Sequence, residues 1–203
     1  MSANHAAFNL IFRFVENYIS PIAGRISSQR HVMAIRDGFI SAMPFMIVGS
    51  FLLVFAYPPF SPDTTWGFAR AWLDLAKEFE GRILTPFDMT MGIMSIYICA
   101  AISYNLGKHY EKSNQLDPFM CAMLSIMAFL LIAAPKTNGT LPVDSLGGTG
   151  IFTAILVAIY CVEMMRFLKA HNIGIRLPDQ VPPMIKNSFD LLSPGLVVVL
   201  TLY

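Results

Sequence analysis

The stretch Gly38–Phe60 reads GFISAMPFMIVGSFLLVFAYPPF and lies within a run of 25 uncharged residues between Asp37 and Asp63. A helix rises about 1.5 Å per residue, so about 20 apolar residues cross a hydrocarbon core roughly 30 Å thick. This run is long enough to do so. Three more charge-free runs follow: 19 residues between Asp88 and Lys108, 18 between Asp117 and Lys136, and 18 between Asp144 and Glu163. They contain MTMGIMSIYICAAISYNL, PFMCAMLSIMAFLLIAAP and SLGGTGIFTAILVAIYCV, apolar all round the helix instead of along one stripe. A fifth run, Leu191–Tyr203, extends only about 20 Å as a helix and stops short of a full crossing.

Composition agrees with a bilayer as solvent. Of 203 residues, 55% are hydrophobic and 13% charged, with a mean hydropathy of +0.57. Soluble domains carry about 25% charged residues, so this chain could not cover a water-facing surface. A net charge of +1, from 14 Lys plus Arg against 13 Asp plus Glu, gives no basic field for nucleic acid. Cys99, Cys121 and Cys161 lie inside apolar runs without CxxC or Cys/His spacing and read as small packing residues. No cleavable signal peptide is expected, because the N-terminus lacks a basic n-region and Phe8–Ile26 is interrupted by polar residues.

Two helices are amphipathic. Over residues 8–26, Phe8, Ile11, Phe12, Val15, Tyr18, Ile19, Ile22 and Ile26 repeat at three and four, as in a helix lying on a membrane surface or docked on a partner, with Pro21 as a bend or restart. Over residues 66–83, Trp66, Ala69, Trp72, Leu73, Ala76, Phe79 and Ile83 face away from Arg70, Asp74, Lys77, Glu78 and Arg82. Each charge would cost about 2.5 to 3.5 kcal/mol at a helix centre, so this second helix should lie on the outer interface with its tryptophans at headgroup level.

The fold class that follows is an all-α integral membrane protein, with four complete transmembrane helices, a truncated fifth and amphipathic interfacial helices. The spans fall near 38–58, 89–107, 118–135, 147–165 and 190–203, the last incomplete. With residue 1 in the cytoplasm, Arg13, Arg25, Arg30, Arg36, Lys108, Lys112, Arg166, Lys169, Arg176 and Lys186 face inward. Arg70, Lys77, Arg82 and Lys136 face outward, and ten against four obeys the positive-inside rule. Asn172–Asp190 is expected to form a cytoplasmic connector with a short helix from Pro182 or Pro183.

Chemistry is sparse. The four spans hold no ionisable residue except Glu163 at the end of the fourth, read as a boundary residue near Arg166 and Lys169. His5, His31, His109 and His171 fall on the cytoplasmic side, too far apart in sequence for a metal site, and are expected to face solvent or headgroups. Asn138-Gly139-Thr140 fits a glycosylation sequon, and Gly147–Gly150 reads as a turn feeding the fourth span. Met89, Met91, Met94, Met120, Met123 and Met127 are packing residues. Pro44, flanked by Gly38 and Gly49, suggests a kink or a close helix approach. No catalytic, cofactor-binding or metal-binding residue is assigned.

Three strings carry a family resemblance: QRHVMAIRDGFISAMPFMIVGSF (Gln29–Phe51), TMGIMSIY (Thr90–Tyr97) and IRLPDQVPPMIKNSFDLLSPG (Ile175–Gly195). In order and spacing they resemble the N-terminal half of the IIC membrane component (EIIC) of bacterial sugar phosphotransferase systems, in the lactose, cellobiose and diacetylchitobiose branch. The resemblance implies a dimeric, multi-pass permease of the bacterial inner or plasma membrane. In such a permease the first half builds most of the dimer interface. Phosphoenolpyruvate supplies phosphate through EIIA and EIIB to an incoming β-linked disaccharide. It also implies that the sugar-contacting residues belong to a second half beyond this sequence, so no substrate-binding residue is carried over and the chain is not expected to transport alone. The alternative is a non-transporting structural or regulatory membrane protein that dimerises with an intact permease.

Overall fold

The computed structural model describes residues 20–114, 116–135, 142–174 and 189–203. Its elements are α1 (Ser20–Ser27), α2 (Arg30–Ala56), α3 (Gly67–Asp88), α4 (Met94–Asn114), α5 (Pro118–Ala133), a 3₁₀ turn (Gly148–Gly150), α6 (Ile151–Ala170) and α7 (Leu192–Leu202). No strand occurs among the described residues. Most of the amphipathic helix expected over 8–26, the sequon at Asn138 and the connector helix near Pro182 lie outside them.

Each charge-free run contains a helix, with bounds set by local backbone chemistry. The helix α2 starts at Arg30, ahead of the apolar run, and continues unbroken through Pro44. The run after Asp88 does not begin as a helix. Met91 and Gly92 both donate their N–H to the Phe87 carbonyl, at 2.8 and 3.3 Å, closing a turn over 89–93 before α4 begins at Met94. The helix α4 then carries Lys108, Glu111 and Lys112 in its last turns. Asp117 caps α5 by accepting from the N–H of Phe119 at 2.9 Å and of Met120 at 3.4 Å, and Pro118 occupies the first turn, where its missing N–H costs nothing. The expected glycine turn is the 3₁₀ segment that enters α6 directly.

Among the described residues, Arg30–Ala56 and Gly148–Ala170 are long and apolar enough to cross a membrane. The helices α5 and α7 are apolar but shorter, at 16 and 11 residues, or about 24 and 17 Å. The count of four full crossings is not fixed by these helices: α4 is 21 residues long but carries Lys108, Glu111 and Lys112 in its last turns, and α5 ends at Ala133 after 16 residues.

The centre of the bundle is α4, which packs on α2, α5 and α6; α3 lies on α2, and α7 fits against α5 and α6. Small side chains set the spacing. Ala34, Gly38, Ala42 and Gly49 form the buried stripe of α2, while Cys99, Ser103, Cys121, Ser125, Ala154, Ala158 and Cys161 are buried where α4, α5 and α6 meet. Without water to drive apolar association, close contact between small residues is what holds helices together in lipid. The three cysteines are free and buried, as packing residues should be. At Gly38 an added Cβ would overlap the Ile102 side chain and lie 2.8 Å from its backbone N. The close approach suggested by the glycines beside Pro44 is therefore present.

Candidate functional site

The helix termini gather into two groups. At one, the start of α2 meets the end of α4 and the end of α6, through His31, Tyr110 and Glu163. The junction of α4 with α5 is beside it, and Lys169 reaches Asp190, just before α7, at 3.2 Å. Arg30, Lys108, Lys112, Arg166 and Lys169, all expected to face the cytoplasm, are carried by these helix ends.

At the opposite end, α2 finishes against α3. Trp72 donates its indole N–H to the Phe55 carbonyl at 3.2 Å, and Tyr57 donates its hydroxyl to Glu80 at 3.0 Å. Phe60 packs edge-on against Trp66 and Trp72 at 5.9 and 5.7 Å. Ser95 at the start of α4 donates to the Gly147 carbonyl, and its backbone N–H reaches Leu146 at 2.9 Å. Ala69 and Ala76 of α3 are buried, while Trp66 and Phe68 are each 62% exposed. An amphipathic helix with an open aromatic rim results, as its sequence pattern predicts.

The densest polar cluster in the described residues centres on Glu163. One carboxylate oxygen, Oε1, accepts from His31 Nε2 at 2.9 Å and from the Tyr110 hydroxyl at 2.7 Å. The other, Oε2, pairs with Arg166 one helical turn later at 2.7 Å. The Tyr110 ring is 2% exposed and has two guanidinium groups near it, Arg166 at 4.8 Å and Arg30 at 5.4 Å from its centroid. Such cation–ring contacts are worth about 0.5 to 2 kcal/mol each. Burial first, and then the hydrogen bond from its hydroxyl to Glu163, raise the Tyr110 phenol above its ordinary range, keeping it a donor.

One expectation is corrected here. His31 is partly exposed, at 42% of its side chain, yet it is bonded to Glu163 instead of simply facing solvent or headgroups, because α2 begins beside the ends of α4 and α6. Glu163 pairs with Arg166, one of the two basic neighbours expected for it, and Lys169 pairs with Asp190. His109 and His171 are exposed as expected, with His171 hydrogen-bonded to the Phe167 carbonyl at 2.9 Å. His5 lies outside the described residues. The cluster was not legible in sequence because His31 and Glu163 are 132 positions apart; the only signal was their shared assignment to the basic side.

The described residues contain no group of three or more His, Cys, Asp or Glu able to hold a metal ion. Two open grooves among the described residues are apolar, and a third, lined by Arg70, Asp74 and Lys77 on α3, is polar. One apolar groove runs along α2 past Met43, Ile47, Phe51 and Val54; the other, between α5 and α7, is lined by Met123, Met127, Leu196 and Leu200. A sugar presents hydroxyls on most of its surface and needs polar partners, which neither apolar groove supplies.

Residues 36–203 match the family model described as phosphotransferase system, EIIC. The chain is 33% identical over 207 residues to the cellobiose-specific EIIC component of Geobacillus stearothermophilus, covering 94% of this chain and 44% of that protein. It is 33% identical over 189 residues to the lactose-specific EIICB component of Streptococcus mutans, covering 90% and 32%. The crystal structure of the transporter ChbC, the IIC component from the N,N'-diacetylchitobiose-specific phosphotransferase system, superposes with a TM-score of 0.76 at 33% identity, covering 94% of this chain and 45% of that one. The chain thus spans less than half the length of these relatives.

Proposed function

The chain belongs to the phosphotransferase system EIIC family, and from that premise we propose that it forms the scaffold and dimerisation part of a permease passing a β-linked disaccharide to a phosphorylating EIIB subunit. EIIB in turn receives phosphate from EIIA. The candidate sugars are those in the names of the relatives: cellobiose, lactose and N,N'-diacetylchitobiose. The observation that carries this reading is the likeness along 94% of the chain to a cellobiose-specific EIIC component.

In this reading α2, α4, α5 and α6 cross the bilayer, α7 enters it, and α3 lies along the outer interface. The N-terminus and the cluster around Glu163 face the cytoplasm. Grouping of basic helix ends around Glu163, with α3 and its tryptophans at the other end, supports that placement. Pairing with a second copy is what the resemblance to the family implies. Recognition of the sugar falls to residues outside these 203, as the resemblance to the family implies.

The test is uptake in a strain lacking its own disaccharide permease but holding EIIA and EIIB. Phosphorylated disaccharide should accumulate when the chain is co-expressed with the second half of a relative, and two differently tagged copies should co-purify in mild detergent. Accumulation by the 203 residues alone would overturn the scaffold assignment. A chain that dimerises and inserts but never supports uptake would favour the non-transporting partner of an intact permease.

A further inference from the structure

The helices α2 and α6 each make their main contact with α4 and not with one another. His31 of α2 nonetheless reaches Glu163 of α6 at 2.9 Å, and the same carboxylate oxygen takes the Tyr110 hydroxyl from α4 at 2.7 Å. We propose that Glu163 is a positioning residue, the shared acceptor of a polar cross-brace that fixes the corner between α1 and α2 onto the cytoplasmic end of the bundle.

The charges around Glu163 suit that role. From α6 comes Arg166, from α2 come His31 and Arg30, and from α4 comes Tyr110; Lys169 is paired with Asp190 and Arg36 with Asp37. Glu163 is therefore bonded directly by His31, Tyr110 and Arg166, while Arg30 joins the cluster over the Tyr110 ring. Removing its charge takes the shared acceptor from His31, Tyr110 and Arg166 at once, and donors left unpaired in a partly buried site destabilise the junction they join. Because only Ser28 and Gln29 separate α1 from α2, the brace also sets where α1 lies. The rest of α2 is held independently by Ala34, Gly38 and Ala42 against α4, so loss of the brace should release the corner and spare the bundle.

The test uses spin labels on the chain in lipid nanodiscs, at Gln29 with Ile173 and, as a control that leaves out α1 and α2, at Lys112 near the end of α4 with Ile173, just past the end of α6. The native cysteines are buried and should stay unlabelled. In Glu163→Gln and in His31→Ala, the Gln29 to Ile173 distance should gain a second, longer component while the Lys112 to Ile173 distance is unchanged, and His31→Gln, which keeps a donor, should restore the single distance. The tyrosinate absorbance lost in Tyr110→Phe identifies the Tyr110 titration. In Glu163→Gln it should move down toward the ordinary phenol value of about 10. An unchanged Gln29 to Ile173 distance in both variants, or equal broadening of both label pairs, would overturn the brace. So would a Tyr110 titration indifferent to Glu163. Should Glu163→Gln fail to fold, His31→Ala carries the distance test.

Discussion

Replacing Gly38 with leucine should force α2 off α4 and destabilise the bundle by on the order of 3 kcal/mol, the upper part of the range for overpacking. The new Cβ would meet the backbone of Ile102, with N at 2.8 Å and Cα at 2.9 Å, so no side-chain rotation can relieve the contact. Relief requires moving one whole helix, and α2 would lose its small-residue contacts at Ala34 and Ala42 together. A matched control is Gly81→Ala on α3, where nothing lies within 4 Å of the added atom. That change should be neutral or stabilising by up to about 1 kcal/mol, through helix propensity alone. Thermal unfolding in mild detergent checks both: a large drop for Gly38→Leu and none for Gly81→Ala.

Placing an arginine at Ala158 should have the second large effect. Ala158 is 0% exposed, in the middle of α6 against the core. In lipid the charge alone costs about 2.5 to 3.5 kcal/mol at a helix centre on the insertion scale, and here the long side chain also has no room. The variant should fail to accumulate in membranes, whereas Leu156→Ala, on the exposed face of the same helix, should accumulate normally. Membrane-fraction yields of the two variants decide the matter. Equal yields would mean that α6 is not a buried apolar helix.

The existence of the helices was legible because lipid leaves no alternative to long charge-free runs. Asp37, Asp88, Asp117 and Asp144 marked where each run opens, and Asp117 proved to be a helix cap as well. Bounds were less legible, since they depend on single backbone bonds. Nothing in MTMGIMSIY announces that Met91 and Gly92 will both turn back to Phe87 and delay α4 to Met94. Packing was legible in part: Gly38 and Gly49 beside Pro44 suggested close approach, but which helix approaches required the fold. The polar cluster was hidden because its bonds join residues 53 and 132 positions apart, and one sequence carries no sign of such pairings. Glu163 had been read by its neighbours along the helix, Arg166 and Lys169, when two of its three partners, His31 and Tyr110, come from α2 and α4.

In the proposed arrangement the charge-free helices thread the bilayer so that the end bearing Glu163 faces the cytoplasm and α3 faces outward. Single cysteines at Lys112 and at Lys77, both exposed and on opposite ends of this arrangement, can be reacted in intact cells with a membrane-impermeant maleimide. The cysteine at 77 should react at once, and the one at 112 only after the membrane is permeabilised. Reaction of both from the same side, or of 112 alone in intact cells, would contradict the arrangement.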